Sequence, residues 1–315
     1  MMQITDLIEL KHAILTQVDN LSLKDKIIQN KEIITPIRNL GRSIEGLDIG
    51  PINASVTYYD EIYAKSVANI SALRSFAVTL ETQADQLYAS RFSVDLKQFF
   101  HDCLYVSNNP NVVKLLVSAT TDEFIRTRLH SYNNWHYPSL MYGCKYHNYI
   151  NQMVTGDPLY VTDPIWDLVE QAIAPFPDLY QRRIRAYKFD NQNFPIGQFG
   201  FIFSWNFFNY ITLDEMPDYL NKIYNWLRPG GVFIFSYNNT DIPRSAYTAE
   251  RQLASWAPKR KVLPLVKSAG FEIVDSQDRP TDDALFGYTS WLEVKKPGDL
   301  TTVKASQAVG LICEK

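Results

Sequence analysis

Cysteine is scarce in this chain of 315 residues, which has three. Cys103, Cys144 and Cys313 lie far apart and are odd in number, so they form no disulfide framework and suit a reducing compartment. An excess of one charge is also missing. Lys+Arg 31 against Asp+Glu 34 leaves a net charge of −3, which argues against a nucleic-acid partner held by overall charge and leaves only a local patch open. The opening "MMQITDLIELKHAILTQVDNL" lacks the continuous apolar core of a signal peptide or membrane span, so the cytoplasm is the expected location and no membrane partner is expected. There is no Gly-x-Ser-x-Gly elbow and no Gly-x4-Gly-Lys-Ser/Thr loop, which removes the hydrolase and nucleotide-triphosphatase readings. His136, Cys144 and His147 do not make the paired Cys/His spacing of a structural zinc site, and no metal is expected.

What remains is an ordinary folding chain. Hydrophobic residues at 46% and charged residues at 21% fit neither disorder nor a fibrous repeat, and the length allows one or two cores. Ile4, Leu7, Lys11, Ile14, Val18 and Leu21 recur at steps of three and four, placing them on one helical stripe that a single lysine interrupts. A second stripe, from Val56 through Tyr59, Tyr63, Ser66, Ile70, Leu73, Ala77, Leu80 and Ala84 to Leu87, keeps a 3.5-residue period for more than four heptads. Between them, Pro36, Gly41, Gly46, Gly50 and Pro51 imply a connecting loop. The expected unit, residues 1–92, is a helical or coiled-coil-like extension: either a cap on the following domain or a stalk that makes the chain a homo-oligomer or part of a larger assembly.

Residues 93–137 read as a helical connector, 138–298 as an α/β domain and 299–315 as a C-terminal tail. Strands are expected over 139–142, 159–162, 184–189, 201–204, 232–237, 271–275 and 289–294, with helical patterns between most of the first six. Such alternation predicts a Rossmann-like, mostly parallel seven-stranded sheet covered on both faces. The turn-rich "SQDRPTDDALFG" leaves no room for a crossover helix, so the last strand is expected to be antiparallel.

Residues 126–297 resemble the class I S-adenosylmethionine-dependent methyltransferases. The most specific feature is Arg228-Pro-Gly-Gly231, read as a turn from a helix ending near Leu227 into the strand "VFIFS", with "LVKSAGFEIVD" farther on. The family's first strand ends in an acidic residue, any residue, then Gly-x-Gly-x-Gly, along which the cofactor's methionine portion lies. Glycine serves there because it tolerates positive φ and lets the backbone approach the ligand. Here the aligned run is Met141-Tyr-Gly-Cys-Lys-Tyr-His147, in which Met141 replaces the acid and Lys145 and His147 replace two glycines. A side chain at a left-handed position costs about 1–2 kcal/mol.

The resemblance implies Gly143 and Cys144 in the cofactor turn, Asp163 on the ribose hydroxyls, Asp190 on the adenine amino group with Ile184 and Phe189 walling the ring, and Ser204 beside the cofactor. Gly200 stands where many members have Asp. Asn206 and Asn209 are the candidates for orienting an acceptor, although "SWNFFNY" is not the Asn/Asp-Pro-Pro-Tyr run of amino-methylating DNA enzymes. Trp205, Phe207 and Phe208 read as core packing. Strand-terminal aspartates also form turns without any ligand. No catalytic acid or base is singled out, because a sulfonium is already a good leaving group and such a site chiefly aligns the reactants. The implied activity is methyl transfer from S-adenosylmethionine to a small or protein-borne acceptor. The alternative is a catalytically inactive methyltransferase-fold protein with a structural or assembly role, such as a phage virion component.

Overall fold

The computed structural model describes residues 3–20, 32, 34–36, 38–39, 42, 48, 50–92, 96–105, 118–132, 136–143, 149–189, 194–280 and 288–300. The chain divides into two compact units, Met1–Arg91 and Phe92–Lys315.

In the first unit the two apolar stripes become helices α1 (Ile4–Asn20) and α2 (Gly50–Arg91). Ile4, Leu7, Lys11 and Val18 of the first stripe are buried, as is Ile8, while Leu21 lies outside the described residues. The lysine in the seam has a partner: Lys11 Nζ sits 2.8 Å from Glu81 Oε1, which ties α1 to the second half of α2, where Ala77, Leu80, Ala84 and Tyr88 are buried. At about 1.5 Å per residue α1 spans roughly 26 Å and α2 roughly 63 Å, so one helix cannot cover the other. The consequence is visible at the middle of α2, where residues 71 to 76 are all exposed, seam residue Leu73 included.

The second unit begins with α3 (Leu96–Tyr105) and α4 (Ala119–Tyr132). It continues as β1 (Ser139–Tyr142), α5 (Ile150–Met153), β2 (Leu159–Asp163), α6 (Trp166–Ile173), α7 (Asp178–Gln181), β3 (Ile184–Lys188) and β4 (Phe199–Ser204). Then follow a 3₁₀ turn (Phe208–Tyr210), α8 (Met216–Trp226), β5 (Leu227–Tyr237), α9 (Pro243–Glu250), α10 (Lys259–Ser268), β6 (Glu272–Pro280) and β7 (Tyr288–Lys295). The seven strands lie in the order β3-β2-β1-β4-β5-β7-β6, with β7 antiparallel to both neighbours and the other pairs parallel. A mostly parallel seven-stranded sheet with a reversed last strand is the Rossmann-like arrangement that the sequence predicts. β1 sits between β2 and β4, with Met141 opposite Phe203, and every residue of β1 is buried, as a central strand covered on both faces requires. Alternate residues feed two cores: Leu140 and Tyr142 join Leu220, Ile223 and Val262 on one face, and Met141 joins Ile125, Leu129 and Val169 on the other.

Two expectations about turns change. Arg228-Pro-Gly-Gly231 is not a turn ahead of the strand but part of β5: Phe199 pairs with Leu227 and Phe201 already with Val232, so the extra residues form a bulge. Gly230 supplies the left-handed φ of +79° that the bulge needs. The segment "SQDRP" is likewise strand, because β6 runs on to Pro280 alongside β7, and only residues 281–287 of the expected turn lie outside the described residues.

Candidate functional site

The carboxyl ends of β1, β2, β3 and β4 carry the described residues that the resemblance points to, except Ile184. Gly143 follows β1 with φ +90°, and its N–H donates to the Thr162 carbonyl at 2.9 Å, which keeps the turn level with the end of β2. Asp163 closes β2 and is buried at 2% exposure, and its Oδ1 accepts the Ile165 N–H at 2.8 Å. That contact is the aspartate turn that residue type favours at a strand end. Cys144, Lys145, His147 and Asp190 lie outside the described residues.

Ile184 is not where an adenine wall is needed. It opens β3 at the amino end, opposite Leu159, and packs in the core on the α4 side of the sheet. Phe189 does follow the carboxyl end of β3, but its ring meets other rings: Tyr142 at 5.4 Å and Phe207 at 5.7 Å between centroids. Tyr142 and Phe207 are themselves 5.1 Å apart, edge to face. The three rings close a triangle at the ends of β1, β3 and β4. Phe207 also lies against Gly143: a Cβ built on the glycine would stand 3.0 Å from Phe207 Cβ and 3.5 Å from its Cγ. A group laid along the β1 turn on that side would have to take the place of the Phe207 ring. Phe207 and Phe208 are core residues, as the sequence reading has them.

Next to this apolar triangle is a buried polar set. Ser204, Asn206 and Asn209 are at most 2% exposed. Asn206 adopts φ +66°, its N–H donates to Ser236 Oγ at 2.6 Å, and its Oδ1 accepts Asn209 Nδ2 at 3.0 Å. The two asparagines proposed for an acceptor are therefore held together. Asn209 is fixed further by its carbonyl, which accepts the Ser255 N–H at 2.7 Å. Among the described residues, the buried polar atoms here without a hydrogen-bond partner include Ser204 Oγ, Trp205 Nε1 and Asn209 Oδ1. Tyr237 Oη, at the end of β5, is another, and burial pushes that phenol well above its ordinary range, helped by the charges of Asp278 and Asp241. Chemically the set offers an indole donor, an amide acceptor and a hydroxyl, and it is neutral. From the sequence Trp205 reads as packing alone. The unpartnered state of its indole depends on contacts across the sheet, and nothing local in the sequence signals it.

Asp278 organises the outer rim. It accepts from Ser290 Oγ at 2.6 Å, Lys259 Nζ at 2.8 Å and Asn239 Nδ2 at 3.0 Å. Burial alone would raise its pKa, but these three donors outweigh burial and hold the carboxyl below its ordinary value. Among the described residues there is no group of three His, Cys, Asp or Glu able to hold a metal ion, and no helix is long and apolar enough to cross a membrane.

No family model and no curated protein sequence matches the chain. Similar solved structures include the N-methyltransferase NodS from Bradyrhizobium japonicum WM9 in complex with S-adenosyl-L-homocysteine, at 15% identity and TM-score 0.47, covering 65% of this chain and 100% of that one. A geranyl diphosphate C-methyltransferase from Streptomyces coelicolor A3(2) gives 7% identity and TM-score 0.49, covering 64% and 98%. An S-adenosylmethionine-dependent methyltransferase from Mesorhizobium loti gives 14% identity and TM-score 0.43, covering 54% and 96%.

Proposed function

We propose that this chain is an assembly protein built on a methyltransferase fold, and that it associates with copies of itself through α2. The carrying observation is the bare middle of that helix. A seam with coiled-coil period reaches from Val56 to Leu87, yet Leu73 is 37% exposed at its centre and Val67 and Phe76, flanking it on either side, are 43% and 48% exposed. Apolar side chains at seam positions are stabilising only when another helix covers them. Residues 66 to 73 carry no charge, so a second α2 can cross there without burying one. A component of a larger particle, a phage virion among them, is the setting in which such a chain would work. Asp at both Ile70 and Leu73 would place desolvated charge in the contact. The sedimenting mass should then fall to that of one chain while helix content by circular dichroism is kept. An unchanged mass in the folded variant would refute self-association through this seam.

A second reading is methyl transfer from S-adenosylmethionine to a small or protein-borne acceptor. It is favoured by the unpartnered Ser204, Trp205 and Asn209 atoms, because a buried polar group without a partner calls for an explanation and a bound ligand is one. This second reading stands only if the crevice beside Gly143 admits the cofactor.

A further inference from the structure

We infer that Phe207 closes the cofactor crevice of this fold, so that the chain does not take S-adenosylmethionine in the family's position. Three independent features support this. The first is the contact on the turn itself, where the ring replaces the open face that makes glycine useful at Gly143. The second is the aromatic triangle. A purine interleaved between two rings needs them about 7 Å apart, twice the usual carbon contact distance. Phe189, the residue expected to wall the adenine, stands 5.7 Å from Phe207 with the ring planes tilted by 51°, so no flat group fits between them. The third is the ribose-side acid: Asp163 is 2% exposed and already accepts the Ile165 N–H.

The ring is not free to swing away. Phe207 is buried at 3% and packs edge to face on Tyr219 at 5.5 Å and on Phe208 at 5.5 Å, besides Tyr142. Moving it into water forfeits the burial of a large aromatic side chain and leaves a void among four others. Opening therefore opposes binding, and a ligand of the family's ordinary affinity is penalised by the whole of that cost. The closure does not depend on self-association through α2; it answers a separate question, and each can fail without the other.

Calorimetry on the intact chain with S-adenosylmethionine, S-adenosyl-L-homocysteine and adenosine tests the closure. The unsubstituted chain should give no binding heat at micromolar ligand. Phe207→Ala, which keeps the Cβ but removes the ring, including the Cγ and Cδ2 that stand 3.5 and 3.6 Å from a Cβ built on Gly143, should bind adenosine at least about tenfold more tightly than the unsubstituted chain, the equivalent of 1.4 kcal/mol. Should Phe207→Ala not fold, Phe207→Leu keeps apolar volume while removing the flat ring, and a smaller gain in the same direction is expected. Micromolar binding by the unsubstituted chain overturns the inference. So does a folded Phe207 variant that binds adenosine no better than the parent, because something other than this ring would then be excluding the ligand.

Discussion

Arg128 on α4 grips Glu293 on β7 across 165 residues of sequence, with its Nε 3.0 Å from both carboxylate oxygens and its Nη2 on Oε2 as well. Tyr132 Oη, one turn along α4, donates to the same Oε2 at 3.1 Å. Glu293 is fully buried, so this is a desolvated charge that α4 neutralises, and it fixes that helix on the sheet. Removing one partner of a buried pair costs far more than the pair itself contributes. Arg128→Met should therefore lower stability by about 3–5 kcal/mol in thermal or urea unfolding. Adding Glu293→Gln to it should restore part of the loss, and a full loss in the double variant would mean the pair is not what α4 needs.

The same cluster makes an alkaline prediction. Burial first, and then the Glu293 charge, push the Tyr132 phenol up to about 12 from 10.0. A folded pKa above the unfolded one means the contribution is complete below about pH 10 and is lost as pH rises to 12. Tyr132→Phe should remove this step from the stability profile, together with the phenolate absorbance change centred near pH 12.

Asp278 acts in the opposite direction. Its folded pKa lies below 3.8, so the stability it contributes is present above that value and declines as pH falls further. Asp278→Asn should flatten the acid limb of the unfolding profile and free the Lys259 ammonium, and an unchanged acid limb would show that the carboxylate is not held as described.

Gly230 and Gly197 separate backbone strain from collision. Both have positive φ, +79° and +65°, but a Cβ at Gly230 would meet Leu300 N at 2.4 Å while one at Gly197 meets nothing within 4 Å. Gly197→Ala should cost only the left-handed penalty of about 1–2 kcal/mol. Gly230→Ala should cost clearly more, and equal losses would show that the chain after β7 moves aside without penalty.

The sheet was legible in the sequence because its strands are apolar runs of the right length, separated by helical patterns, and the missing crossover before β7 forces a reversal. Arg228–Gly231 misled for a physical reason: Pro and Gly punctuate turns and bulges alike, and only pairing with β4 distinguishes them. The single glycine of the β1 turn was visible, but the ring that covers it was not. Phe207 lies 64 residues beyond Gly143, and an aromatic residue after a strand reads as core wherever its neighbours are unknown. Lys11 looked like a flaw in an apolar stripe until Glu81 supplied its partner from another helix.

Molar mass in solution tests most directly whether this chain works by assembly. One chain weighs 36.3 kDa. Sedimentation equilibrium of the intact protein over a dilution series should give a multiple of that mass at high concentration and approach a single chain on dilution. The approach should shift to higher concentration when exposed Leu73 alone is changed to Asp. A mass of one chain at every concentration, with α2 fully helical, would contradict self-association through the bare seam.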